Sequence, residues 1–281
     1  MKTIGVIGTG TMGGGIAMAA SQIRCDVLFQ NRRQESVDRG IRRIQNELEK
    51  QVSRDKLTQA QCEGTLERIR GVVPLEEFKA CDLVIESAPE DLEIKQDLFE
   101  KLSGVVSDRC IIATNTSSLS ITKLASFVSG PERFIGMHFF NPVSMLKLVE
   151  VVRGMETSNK TVVAVQEFAG KLGKVPIEVN DSPGFVVNRV LFPMINEAAF
   201  ALSEGVSDAH GIDECMKGGC NHPMGPLALA DLVGLDVVCA ILRNLHREFG
   251  NPRYAPSLEI VKRVEAGWLG RKSGRGFYDY S

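Results

Sequence analysis

No surplus of positive charge marks this chain: 33 Lys+Arg stand against 35 Asp+Glu, a formal net charge of −2. Without a basic excess there is no electrostatic footprint for a phosphodiester backbone, so nucleic acid is not an expected partner. Nowhere do about 18 apolar residues run together, which argues against a membrane-spanning helix and a membrane partner. The chain enters an apolar strand at residues 2–7, leaving no room for a secretory leader. The seven cysteines are odd in number and never in C-x-x-C spacing. That disfavours a disulfide framework and points to free thiols in a reducing compartment, the cytoplasm. Cys215, Cys220 and His222 come nearest to a metal cluster, but three ligands at that spacing match no common zinc pattern. Packing and loop roles suit them better, and no metal is expected. Tyr254, Trp268 and Tyr278 read as packing or interface aromatics.

What is present begins with VIGTGTMGGG, residues 6–15. A β-branched strand runs into Gly8, Gly10 and Gly13, and Met12 to Ile23 reads as a helix. In a G-x-G-x-x-G turn the first glycine permits the tight bend and the second lets backbone approach a pyrophosphate. The third lets helix and strand pack closely. The N–H groups at the helix start, near Thr11 and Met12, then face the phosphates. Gly14 and Gly15 are unusual, since glycine inside a helix costs about 1 kcal/mol relative to alanine. They read either as a frayed first turn or as extra room beside the cofactor.

Strands are expected at 2–7, 25–30, 69–73, 82–87, 109–114, 133–139, 147–152 and 175–179. Helices separate most of them, including amphipathic stretches at 34–51 and 91–106 and a stripe of Val162, Val165, Ala169 and Leu172. This alternation predicts an α/β fold of Rossmann type, doubly wound, with a mainly parallel sheet covered on both faces. After Asp181 to Gly184 the texture changes: 185–204, 208–217, 226–250 and 255–266 read as helices with no strand between. The expected domains are therefore 1–182, binding the dinucleotide, and 183–281, smaller and all-helical.

One acidic residue is conspicuously absent. NAD sites usually carry a carboxylate about 20 residues past the glycines, at the end of the second strand, to hold the ribose 2′-hydroxyl. Here the strand VLFQ ends at Asn31, followed by Arg32 and Arg33. A carboxylate would repel a 2′-phosphate, whereas asparagine does not and guanidinium groups attract it. NAD(H) and NADP(H) both remain possible cofactors, and this pattern favours NADP(H) or dual use. The alternative is two solvated arginines at a helix start.

A nicotinamide dehydrogenase moves a proton with each hydride, and histidine has the unperturbed pKa nearest to working pH. Only four histidines exist: His138, His210, His222 and His246. His138 lies in FIGMHFFNP, at the carboxyl end of a strand that stops at Asn141, where open α/β sheets keep their ligands. Glu150 falls in the next apolar run, KLVEVV, which could return alongside. A carboxylate beside imidazole would set its tautomer and favour the imidazolium formed on proton uptake. A satisfied core histidine is the alternative. Asn115 and Ser117 follow another strand at the same sheet edge. Ser118 or Ser120 could cap the helix after it, and Ser117 could hydrogen-bond a substrate oxygen. Glu90 and Lys95, in ESAPEDLEIK, occupy a further strand–helix corner, where solvated helix-start residues are the usual finding.

These motifs, met in one order along essentially the whole chain, resemble the short-chain L-3-hydroxyacyl-CoA dehydrogenase family, and within it the bacterial 3-hydroxybutyryl-CoA dehydrogenases. The stretches that carry the resemblance are GTGTMGGGIA, DLVIESAPED, NTSSLSIT, IGMHFFNPV, KLVEVV, SPGFVVNR, NHPMGPL and GWLGRKSGRGFYDY. The resemblance implies His138 as catalytic base and Glu150 as its orienting partner, with Ser117 and Asn188 holding the substrate's C3 oxygen. It implies that Glu90, Lys95, Ser117, Asn141 and Lys272 contact the dinucleotide or its nicotinamide end. Lys50 and Lys56 fall where the family sets basic residues against coenzyme A. It further implies an acyl-CoA substrate (acetoacetyl-CoA or 3-hydroxybutyryl-CoA), a site between the domains and a homodimer paired through the helical one. Asn31 and Arg32 depart from the family's usual aspartate. Two other readings stand beside this one: a dehydrogenase of a free 3-hydroxy acid or sugar acid, and a non-catalytic dinucleotide-binding protein.

Overall fold

All eight strands of the computed structural model, which describes Met1–Ser281, fall in the first of two units, Met1–Ser182. They are β1 (Thr3–Ile7), β2 (Asp26–Gln30), β3 (Ile69–Val72), β4 (Leu83–Glu86), β5 (Ile111–Thr114), β6 (Phe134–Phe139), β7 (Leu148–Arg153) and β8 (Val175–Asn180). Their order in the sheet is β3-β2-β1-β4-β5-β6-β7-β8. The first six are parallel and follow the doubly wound order that reverses direction between β1 and β4. β7 then runs antiparallel to β6, and β8 parallel to β7. Each expected strand is present: the short β-branched runs of the sheet interior are buried on both faces, while the edge strand β8 is largely exposed.

The intervening helices are α1 (Thr11–Gln22), α2 (Gln34–Val52), α3 (Gln59–Glu67), α4 (Leu92–Ser103), α5 (Ile121–Ala125) and α6 (Asn159–Lys171). On one face of the sheet, Ile16 and Ala17 of α1, Ile44 and Leu48 of α2, and Val165 and Phe168 of α6 share a core with Ile4, Phe29, Ile85, Met137 and Val151. On the other, Phe78 closes over Gly5 and Phe99 of α4 meets Phe134 edge-on at 5.0 Å between ring centroids. Burying each such side chain contributes about 1.5–3 kcal/mol. That outweighs the roughly 1 kcal/mol per glycine lost in α1, so packing rather than propensity holds this helix.

α3 corrects the sequence reading, which places no helix between 51 and 69. Its signal is a capping box: Thr58 accepts from Gln61 N–H while the Gln61 side chain accepts from Thr58 N–H. Capping side chains also start α4 (Asp91), α5 (Ser120) and α6 (Ser158). Ser120, and not Ser118, is therefore the cap of α5.

The second unit, Pro183–Ser281, contains α7 (Val187–Ser203), α8 (Ala209–Cys220), α9 (Pro226–Val233), α10 (Leu235–Phe249) and α11 (Leu258–Glu265). Phe192, Ile195, Leu227, Ala230, Leu235, Leu242 and Ile260 build its core. The single helix expected over 226–250 is two, because Gly234 takes φ 102 between α9 and α10. Asp213 accepts from Leu227 and Ala228 N–H at the start of α9, and Tyr278 donates its hydroxyl to the same carboxylate. Tyr254 is buried, and Arg275 lies 3.7 Å from the Trp268 ring centroid. All seven cysteines are free. No group of three or more His, Cys, Asp or Glu side chains is arranged for a metal ion, and no helix is long and apolar enough to cross a membrane.

Candidate active site

The glycine turn between β1 and α1 has the shape a dinucleotide requires. Gly8 sits at φ 97, and a Cβ there would lie 2.3 Å from the Ser87 carbonyl oxygen; one on Gly13 would lie 1.8 Å from the Gly8 carbonyl oxygen. Neither position admits a side chain. Gly10, by contrast, has nothing within 4 Å of a built Cβ and forms the uncapped N-cap of α1. The open space above it, facing unshielded N–H groups, is where a pyrophosphate fits. Gly8, Gly10, Asn31, Arg32, Ser87 and Lys101 border a cavity of about 640 Å³ at this edge. Asn31 donates its side-chain N–H to Thr9 Oγ1 at 3.0 Å, which ties the end of β2 to the glycine turn. Arg32 is exposed beside it.

His138 and Glu150 are directly opposed across the antiparallel β6–β7 pair. Imidazole Nδ1 lies 2.6 Å from Glu150 Oε2, with the two residues 6% and 1% exposed. A carboxylate that close accepts a hydrogen bond from Nδ1–H and fixes the proton there, so proton exchange with a ligand falls to Nε2. The Phe140 ring lies 4.4 Å from the imidazole centroid.

Asn115 has a structural task at this edge: its Oδ1 accepts from Phe139 N–H at 2.8 Å and its Nδ2 donates to Ser87 Oγ at 3.3 Å. It thereby fastens the residue next to His138 to the ends of β4 and β5. Ser117 belongs to a loop gathered on Glu90 Oε1. That oxygen accepts from Thr116 Oγ1 (2.6 Å), Ser117 N–H (2.8 Å) and Oγ (3.2 Å), and Ser118 N–H and Oγ (both 2.9 Å). Burial opposes ionisation of Glu90, but Lys95 and these donors outweigh it and hold the carboxyl below its ordinary value.

Lys95 overturns the expectation of a solvated helix-start residue. It is 1% exposed and its ammonium lies 2.6 Å from Glu86 and 3.6 Å from Glu90. Glu86, wholly buried, also accepts from Thr114 Oγ1 at 2.6 Å. Sequence reading missed Glu86; the available signal was an acidic residue closing an otherwise apolar strand, LVIE.

Of the remaining candidates, Asn141 and Lys50 border one further cavity of about 370 Å³ beside α1 and α2. Lys56 borders a separate shallow depression within 52–61, so the two lysines do not share a cavity. Thr11 and Met12 open α1. In the second unit, Asn188 is buried in the first turn of α7, and Lys272 pairs with Asp236 at 2.5 and 2.7 Å.

Residues 3–182 match the NAD binding domain of 3-hydroxyacyl-CoA dehydrogenases, and 184–280 match the C-terminal domain. A probable 3-hydroxybutyryl-CoA dehydrogenase of Deinococcus radiodurans is 51% identical over 276 residues, covering 98% of this chain and 99% of the relative. A 3-hydroxybutyryl-CoA dehydrogenase of Bradyrhizobium diazoefficiens is 46% identical over 280 residues, covering 100% and 96%. Among solved structures, (S)-3-hydroxybutyryl-CoA dehydrogenase from Ralstonia eutropha superposes with a TM-score of 0.97 at 47% identity, over 100% of this chain and 99% of the other. A glycine turn shaped for a dinucleotide and a buried His–Glu pair thus stand on a fold and sequence shared from end to end with these enzymes: the chain belongs to the 3-hydroxyacyl-CoA dehydrogenase family.

Proposed function

We propose that this protein is a 3-hydroxybutyryl-CoA dehydrogenase that interconverts (3S)-3-hydroxybutyryl-CoA and acetoacetyl-CoA, with His138 as general acid and base. The observation that carries this reading is the 2.6 Å contact between His138 Nδ1 and Glu150 Oε2, at the carboxyl end of β6. The bound dinucleotide supplies or accepts the hydride at C3 of the acyl chain. His138 Nε2 takes the hydroxyl proton in oxidation and returns it to the forming alkoxide in reduction, while Glu150 stabilises the imidazolium. Ser117 is assigned a hydrogen bond to the C3 oxygen, made when its hydroxyl turns from Glu90, and Asn188, through the family motif SPGFVVNR, is assigned the companion role. Gly8, Gly10 and Gly13 with the start of α1 hold the pyrophosphate. Glu90, Asn141 and Lys272 are assigned to the dinucleotide, Lys95 acts on it only through Glu90, and Lys50 and Lys56 are assigned to coenzyme A.

The missing carboxylate at Asn31 and the exposed Arg32 support use of NADP(H), alone or beside NAD(H). The family motifs of the second unit support a homodimer. The free thiols suit the cytoplasm. A spectrophotometric assay of acetoacetyl-CoA reduction, with NADH and NADPH in parallel and acetoacetate as the comparison substrate, tests the reading. Turnover of acetoacetyl-CoA alone is expected. Equal turnover of acetoacetate would favour a free-acid dehydrogenase, and dinucleotide binding without turnover would favour a non-catalytic protein.

A further inference from the structure

Gly15 lies one turn into α1, past the three glycines that shape the phosphate turn, and nothing in the G-x-G-x-x-G pattern requires it. A Cβ built there would stand 2.9 Å from Val143 Cβ and 3.0 Å from its Cγ2. Neighbouring Gly14 is different, since its Cβ would meet only Ile44 Cγ1, at an ordinary 3.6 Å. Val143 is 4% exposed and belongs to the central core. It sits in a stiff turn: Met145 and Leu146 N–H both donate to the Pro142 carbonyl at 3.0 Å. The Lys174 ammonium holds the same turn through the Val143 carbonyl and, at 2.8 Å, the Leu146 carbonyl. Asn141 immediately precedes this turn and follows the His138 strand by two residues.

We infer that Gly15 is a positioning residue: its bare Cα is the seat on which the 142–146 turn rests, and through that turn it places Asn141 for the dinucleotide. The inference rests on the dinucleotide role proposed above for Asn141. A methyl group at 15 cannot be absorbed by a flexible chain end, because the atom it meets is a Cβ. The turn, pinned by Lys174, must lift from α1, and Asn141 moves with it. Gly14 and Gly15 both border the cavity of about 370 Å³ that Asn141 and Lys50 line, but the Cβ direction of Gly15 is a close approach to Val143.

The test is a fluorescence titration of purified protein with NADH and NADPH, giving Kd without turnover, alongside KM and kcat with acetoacetyl-CoA. Gly15→Ala is expected to weaken dinucleotide binding about tenfold, with kcat changed less than KM, while Gly14→Ala binds as the wild type does. Val143→Gly in the Gly15→Ala background removes the Cβ and both γ-carbons that the new methyl meets, so recovery of at least half the lost affinity is expected. If Gly15→Ala fails to fold, this double variant carries the test and must bind within a few fold of wild type. Combining Gly15→Ala with Asn141→Ala is expected to be no worse than Asn141→Ala alone, the non-additivity of two residues acting through one contact. Unchanged Kd in Gly15→Ala, no recovery in the double variant, or additive losses with Asn141→Ala would overturn the inference. Absence of dinucleotide binding by the wild type would instead overturn the proposed function.

Discussion

The ammonium of Lys95 lies 2.6 Å from the Glu86 carboxylate, and both side chains are shut off from water, at 1% and 0% exposure. One turn of α4 and the end of β4 thus share a charge pair in the interior, with Glu90 3.6 Å from the same ammonium at the surface side. Two carboxylates divide one cation. Glu86 holds it inside, and Glu90 uses its other oxygen to gather the Ser117 loop.

Removing Lys95 alone should be severe. Lys95→Met leaves the buried Glu86 carboxyl with no cation, and a loss of about 3–5 kcal/mol is expected in urea unfolding. Glu86→Gln in the same background should recover most of it, because the Thr114 hydrogen bond survives and the buried charge is gone. A single variant as stable as wild type would show that water reaches the pair.

His138→Gln should lower turnover by about 10²–10⁴, the scale of a general base, with unchanged circular dichroism. Glu150→Gln should also lower it, by about 10² or more, since an amide can turn its N–H towards Nδ1 and impose the wrong tautomer. Steady-state assays in both directions check these values.

Asn31→Asp returns a carboxylate to the end of β2 and should raise the NADH-to-NADPH ratio of kcat/KM by about tenfold, ~1.4 kcal/mol. A ratio that does not move would mean that Asn31 has no part in choosing between the two dinucleotides.

Glu90 gives a pH signature. Its folded carboxyl is held below the ordinary 4.5, so its stabilising contribution is complete above that value. It is lost as pH falls through the lower folded value. The stability gap between wild type and Glu90→Gln should therefore be widest near neutrality and shrink in acid. Urea unfolding at stepped pH measures it, and a gap that grows in acid would contradict the geometry.

Gly234→Ala should destabilise by about 1–3 kcal/mol. The backbone there is at φ 102, and a Cβ would meet the Asp236 carboxylate and Lys272 ammonium, each at 2.9 Å. The pair of helices α9 and α10 depends on that corner, and thermal unfolding reports it.

The strands were readable because local chemistry and burial agree in them: short β-branched runs such as TIGVI and LVIE have few other uses. The glycine turn was readable for a similar reason, since Gly8 and Gly13 answer steric demands made within a few residues. What failed at this level also failed locally. The α3 capping box went unread against a weakly apolar helix, and one glycine with positive φ inside an apolar run hid the break between α9 and α10.

Sequence alone determined the order of the strands, the mainly parallel sheet and the short list of groups able to move a proton. Tertiary structure decided which of those groups meet. Glu150 faces His138 because β7 returns antiparallel in one register, and a slip of a single residue would turn the carboxylate to the other face. The burial of Lys95 by Glu86, and the seating of Val143 on Gly15, likewise join residues whose types predict nothing of the kind. A charge or a missing side chain acquires its meaning from the atom brought within 3 Å of it, and chain order does not specify that atom.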